Sequence, residues 1–305
     1  MTRQKLNDAY VSAEGTTQSG LAHLRLPFAM RPTLAAYLDH HGLHLLSGLV
    51  PTPGMVYAIM FLVLALVFTR RARFAGMSAS HAINLVVVVG LAAAIGAHVF
   101  RLVVTGDWHR LPISRWLSEG GTASWGDYVF GIVAVVGYAW WARLSAWLWL
   151  DLAVSVQPLG EMIGRWSCWL AGDDFGRITN VPWAIRFPAG SLAWNEHVSR
   201  GLIPATAPWS LPVHPQQFYL MLNAALLFAV ITVVWRRKRL QPGLTLAVFL
   251  LLYGVSRFCV EFFRDPVAGG AAVGLSASQW MCLMFVAAGG MITIARRHAW
   301  NHPPD

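Results

Sequence analysis

The chain has 305 residues, 56% of them hydrophobic and only 12% charged, with a formal net charge of +9. Soluble domains carry about 25% charged residues, so this composition argues against a soluble fold. The positive balance does not point to nucleic acid, because the basic residues fall in short clusters directly after long apolar runs, the pattern that orients a membrane protein.

Residues 1–30 lack an apolar core ending in a small-residue cleavage site, so no cleavable signal peptide is expected. Residues 1–50 read as an N-terminal extension. Its stretch from Pro32 to Val50 is apolar but holds Asp39, His40, His41 and His44, which favours an interfacial helix over a further span. From residue 51 to 305 the chain reads as one transmembrane domain. A spanning helix needs about 17–25 mostly apolar residues. Segments of this kind lie at about 54–69, 82–104, 126–142, 144–164, 217–235, 243–262 and 275–295, giving an all-α, polytopic fold of about seven transmembrane helices.

Arg70, Arg71 and Arg73 follow the first segment, Arg143 separates the third and fourth, Arg236 to Arg239 follow the fifth, and Arg296 and Arg297 follow the seventh. Short loops rich in Lys and Arg stay cytoplasmic. All four clusters then share one side, with the N-terminus outside and the C-terminus inside. The loop at 105–125, the long stretch at about 170–213 and the 264–273 turn become extracytoplasmic. Cys259 and Cys282 sit inside apolar runs and Cys168 near the edge of one, so no disulfide framework is expected.

Ionisable residues within membrane helices are costly and mark function first. GEMIGRWSCWLAGDDFGRIT, from Gly160, ends the fourth helix. In it Arg165 follows Glu161 by one turn, and a guanidinium there can hold a phosphate through two parallel hydrogen bonds while a carboxylate orients it. The plain alternative is a surface ion pair followed by a turn. YGVSRFCVEFFRDP, from Tyr253, ends the sixth helix and puts Arg257, Glu261 and Arg264 on one face. A buried ion pair that only fixes packing is the alternative there. VHPQQFY opens the fifth helix, with His214 just outside it and Gln216 and Gln217 in its first turn. Tyr57, near the outer end of the first helix, is by itself an aromatic-belt residue. The histidines are scattered without metal-ligand spacing, so no metal or other cofactor is expected. No glycine-rich phosphate loop follows a strand.

Together and in this order, the pieces resemble the prolipoprotein diacylglyceryl transferase family across about residues 54–297. VYAIMF supplies Tyr57; GRWSCWLAGDDFG supplies Arg165, Asp173 and Gly176; HPQQFY supplies His214, Gln217 and Tyr219; YGVSRFCVEFFR supplies Arg257, Glu261 and Arg264; GLSASQW supplies Gly274, Ser276 and Gln279. The chain departs from the family pattern at three motif positions. Trp125 stands where the family carries a histidine, Cys168 where it carries an asparagine, and Asp173 where it carries a glutamate. His98 stands where the second helix usually has an arginine.

The resemblance implies transfer of a diacylglyceryl group from phosphatidylglycerol to the lipobox cysteine thiol of a preprolipoprotein, at the bacterial inner membrane. Arg165, Arg257, Glu261 and Tyr57 would be catalytic, and Asp173, Gly176, His214, Gln217 and Arg264 would bind substrate. With the family histidine absent, His109 is the first candidate for the base, ahead of His98, Asp127 and His214, because an ordinary histidine titrates near the working pH. A divergent relative with another acceptor, or a silent lipid-binding maturation partner, is the alternative that Trp125 and Cys168 raise.

Overall fold

The computed structural model describes residues 35, 38, 42–105, 124–238, 241–265, 271–272 and 274–301. Most of the N-terminal extension and all of the loop holding His109 lie outside them. Within them the chain is almost wholly helical. After a single turn, α1 (His44–Ser47), come α2 (Pro53–Phe74), α3 (Ala79–Thr105), α4 (Ser124–Trp141), α5 (Ala146–Ala171), α6 (Leu192–Ser199), α7 (Gln216–Lys238), α8 (Leu244–Glu261) and α9 (Ala277–Asn301). A two-residue hairpin pairs β1 (Ala271–Ala272) with β2 (Leu275–Ser276) just before α9.

Each predicted apolar segment matches one long helix, four of them overrunning it by one or two residues at an end. Five of these, α2, α3, α7, α8 and α9, are long and apolar enough to cross a membrane by length and composition. The other two are interrupted. Helix α4 has Asp127 in its first turn and Trp140 and Trp141 at its end, and α5 carries Asp151, Pro158, Glu161 and Arg165. The helices also run beyond their apolar cores. Helix α2 continues through Arg70, Arg71 and Arg73, and α5 continues past residue 164 to Ala171, where Gly172 at φ 71° caps it in the left-handed conformation.

Helix α5 is central. It packs against α2, α4, α7 and α8, while α3 lies on α4 and α9 lies on α8. Phe68, Trp149, Leu152, Ile231, Phe249 and Tyr253 interlock in the main apolar core. Helices α8 and α9 approach closely at Gly254, where a Cβ would meet the Cys282 carbonyl at 2.7 Å.

Polar side chains fix the bundle at the end opposite the long loop. Asp151, 2% exposed, accepts from the amides of Gly243 and Leu246, both at 2.7 Å, and so caps the start of α8 from the second turn of α5. Arg71 donates to the Ser155 carbonyl at 2.6 Å and to the Thr232 hydroxyl at 2.7 Å, and lies over the Phe228 and Trp235 rings. One member of the predicted orienting cluster is therefore turned into the bundle rather than out to water.

Between α5 and α7 the chain forms a small cap. Antiparallel bridges join Ile178 and Ile185 to Val213 and Pro188 to Trp209, over a core of Phe175, Phe187, Ala193 and Val213. Arg200, just past α6, clasps Asp265 at 2.6 Å, tying this cap to the end of α8.

Candidate active site

The ends of α5 and α8 and the start of α7 converge at Gly176. Its amide donates to the His214 carbonyl at 3.2 Å, and the next amide, Arg177, donates to the Phe263 carbonyl at 2.9 Å. A Cβ on Gly176 would stand 2.5 Å from the His214 oxygen and 2.8 Å from the Phe263 oxygen, so only glycine lets three backbone segments cross there. Asp174, at φ 51°, supplies the sharp turn that leads from the helix cap into this crossing.

That crossing brings Arg165, Arg257 and Arg264 into one network of charges. Arg165 Nη1 donates to Asp174 Oδ2 at 2.6 Å, and its Nη2 reaches Glu161 Oε1 at 3.4 Å. Arg264 pairs with the other Asp174 oxygen and reaches Glu261 Oε1 at 3.4 Å. Arg257 pairs with Glu261 Oε2. Arg257 and Glu261 are 6% and 4% exposed, so neither charge is screened by water. Ser276 donates to Glu261 Oε1 at 2.9 Å, and exchanges side chain-to-amide bonds with Gln279 at 2.9 and 3.1 Å. The Ser-x-x-Gln motif is thus a capping box at the start of α9 whose hydroxyl also holds the carboxylate that holds Arg257.

The other predicted residues take their places around this network. Gln217 donates to the Asp173 carbonyl at 2.5 Å and Gln216 to the Val260 carbonyl at 3.1 Å, so both first-turn amides brace backbone. His214 bonds the Tyr219 hydroxyl at 3.1 Å, which also accepts from the Trp183 indole at 2.6 Å. Burial pushes the His214 ring below its ordinary range. Tyr57 lies beside Gly164 and Ser167 on α5, with its face exposed on the bundle surface. Burial pushes the Asp173 carboxyl up to about 6, with the neighbouring Asp174 charge adding to it. Burial would also raise Asp174, but Arg264 and Arg165 outweigh that and hold it below the usual carboxylate range.

Of the base candidates, His109 lies outside the described residues. His98 bonds the Ala94 carbonyl of its own helix at 3.0 Å. Asp127 accepts from the Tyr128 amide at 2.9 Å within the first turn of α4. Trp125 lies in that same turn.

Asp174, rather than Asp173, is the carboxylate that joins two arginines, and Tyr253 is a buried member of the site that stood unranked in the YG motif. Tyr253 donates to Glu161 Oε1 at 3.4 Å and accepts from Tyr128 at 3.1 Å. The DD pair and the tyrosine before a glycine were visible, but their partners come from other helices. Among the described residues, Cys168, Asp173 and Asp174 bring possible metal-ligand atoms within 4.8 Å of one another. Both Asp174 oxygens are already held by guanidinium groups, which leaves that group poor in free negative charge.

The model of the family described as "Prolipoprotein diacylglyceryl transferase" matches residues 47–295. A phosphatidylglycerol--prolipoprotein diacylglyceryl transferase of Rhodospirillum rubrum is 32% identical over 240 residues, covering 76% of this chain and 81% of that protein. The protein of the same name from Paraburkholderia phymatum is 31% identical over 278 residues, covering 82% and 90%. One from Burkholderia orbicola is 36% identical over 200 residues, covering 60% and 66%. With the motifs, the multi-pass helical architecture and these matches in agreement, the chain belongs to the prolipoprotein diacylglyceryl transferase family.

Proposed function

We propose that the chain transfers the diacylglyceryl group of phosphatidylglycerol to the lipobox cysteine of a preprolipoprotein, forming a thioether and releasing glycerol phosphate. The observation that carries this reading is the convergence of Arg165, Arg257 and Arg264 from two helices onto a carboxylate-held cluster, in a member of this family. The relatives' names give the donor lipid and the acceptor protein, and favour this reaction over a divergent or silent role.

The seven long helices are proposed to span the bacterial inner membrane, with the arginine clusters and the C-terminus inside and the cap and the N-terminus outside. Supporting this, the helix ends bearing Arg70–Arg73 and Arg236–Arg237 and the Arg143 turn alternate along the chain with the ends that meet at Gly176.

In this reading Arg165 and Arg257 hold the phosphate, and their fixed charges stabilise the negative charge that grows on the leaving oxygen. Glu261 keeps Arg257 aimed and Arg264 completes the cradle. Asp173 faces the lipid glycerol, Gly176 lets backbone approach the head group, and Gln217 acts by holding the Asp173 backbone. His214 and Tyr57 line the approach. His109 remains the base that the sequence alone suggests.

The test is transfer of labelled diacylglycerol from phosphatidylglycerol vesicles to a lipobox peptide by the purified protein. Thioether product that disappears with Arg257→Ala supports the reading. Wild-type protein that binds phosphatidylglycerol yet gives no thioether overturns it.

A further inference from the structure

Glu161 is held by the network but not used up by it. Its side chain is 5% exposed. Oε1 accepts from Arg165 and Tyr253, both at 3.4 Å, whereas Oε2 is buried and has no hydrogen-bond partner among the described residues. A buried acceptor without a donor is destabilising, so its survival in a site asks what donor it meets.

A chain of hydrogen bonds aims this carboxylate. Gln157 donates to the Tyr128 hydroxyl at 2.5 Å, Tyr128 to the Tyr253 hydroxyl at 3.1 Å, and Tyr253 to Glu161 Oε1. Each donor points toward Glu161, which fixes one oxygen and leaves the other free.

The depth of the residue decides the partner. Glu161 precedes Arg165 by four residues on α5, and Tyr253 precedes Arg257 by four on α8. At 1.5 Å per residue, the backbone of Glu161 and Tyr253 lies about 6 Å along each helix from that of Arg165 and Arg257, while the Glu161 carboxylate reaches up to the Arg165 guanidinium at 3.4 Å and so borders the arginine cluster. Both helices run toward the cap, so that backbone is on the membrane side of the arginines. When the arginines hold the phosphate, an in-line displacement at the adjoining glycerol carbon needs its nucleophile on the far side of that carbon. Glu161 rises from that side to the edge of the arginine cluster, with Oε2 left without a partner among the described residues.

We propose that Glu161 is the catalytic base that takes the proton of the acceptor thiol. The assignment rests on the transferase reading above. The thiol proton passes to Glu161 Oε2 as the sulfur lone pair attacks the diacylglycerol carbon. The carbon–oxygen bond breaks with its electron pair on the phosphate oxygen, between Arg165 and Arg257. Glu161 then loses its proton to water as glycerol phosphate and the thioether leave, and the carboxylate is restored. This places the base on α5, where it can act in a chain with Trp125 at the motif histidine position.

The test compares wild type, Glu161→Gln, Glu161→Asp and His109→Ala, using phosphatidylglycerol vesicles and two lipobox peptides that differ only in cysteine or selenocysteine. A selenol is ionised at neutral pH and needs no base. Expected for Glu161→Gln at pH 7 are unchanged lipid binding and a fall of about 10²- to 10⁴-fold in kcat with the cysteine peptide. The deficit shrinks as pH passes the ordinary thiol value of about 8.5, and the selenocysteine peptide reacts at close to the wild-type rate. Glu161→Asp, which keeps a carboxylate, falls less. Equal losses with both peptides, or full activity in Glu161→Gln beside an alkali-rescued loss in His109→Ala, overturns the assignment. Wild-type protein inactive with both peptides overturns the transferase reading itself, and the assignment with it.

Discussion

Asp174 Oδ2 accepts from Arg165 at 2.6 Å while its other oxygen holds Arg264, so one carboxylate keeps two guanidinium groups from repelling each other. Removing one partner of a buried pair costs about 3–5 kcal/mol, and the partial exposure of these three side chains, 13–23%, puts this case at the lower end. Asp174→Asn is expected to lose about 3 kcal/mol of stability, read as a drop in Tm in detergent, and to lose transfer activity.

Arg257 is a test of geometry against charge. Its planar fork can bond phosphate at two points, whereas a lysine offers a point charge. Arg257→Lys is expected to retain lipid binding but lower kcat by about 100-fold or more, the usual cost of one lost transition-state donor. A lysine variant with wild-type kcat would show that net charge alone matters there.

Gly176→Ala should fail where Gly164→Ala is tolerated. The added Cβ meets two backbone oxygens at 2.5 and 2.8 Å at Gly176, but at Gly164 it meets the flexible Met60 sulfur at 3.5 Å and the Tyr57 ring at 3.9 Å, both ordinary contacts. Overpacking of this kind costs about 1–3 kcal/mol, and the displaced segments carry His214 and Arg264. Parallel expression and transfer assays of the two variants check it.

Asp173 and His197 give stability opposite pH dependences. The Asp173 carboxyl is raised to about 6 in the folded chain, above the ordinary value near 3.9. Its folded state therefore binds the extra proton between those values, and stability falls as pH rises through the window. Asp173→Asn is expected to raise Tm at pH 7 while lowering activity, and to leave Tm at pH 4 unchanged.

His197 is fully buried, accepts the Leu211 amide at 3.1 Å, and is lowered from its ordinary value by burial and by the Arg200 charge. Its unfolded form binds protons first, so its contribution is complete above about pH 6.5 and is lost as pH falls below it. His197→Phe should flatten the acid limb of a Tm-against-pH curve.

The sequence made the helices legible because apolar runs of spanning length need no partner to be recognised. It made Arg165, Arg257, Glu261 and Arg264 legible because charges in such runs stand out and share helical faces. What it concealed depends on other elements. Asp151 caps α8 from 92 residues away, and Tyr253 reaches Glu161 across two helices. Asp174 and Asp173 are alike in sequence, and only the left-handed turn at Asp174 aims one of them at the arginines. Arg165 breaks the apolar run of α5, so the predicted end at residue 164 fell short of Ala171. Gln217 reads as a ligand group by type, yet its amide faces backbone.

Arg71 ties three helices together. Among the described residues its guanidinium finds acceptors on α5 and α7, at Ser155 and Thr232. Drawing α2 along its axis would strip a cation of both acceptors, so the two bonds set the register of α2 as well as its neighbours. The height at which Tyr57 stands is thereby fixed from the opposite end of its helix.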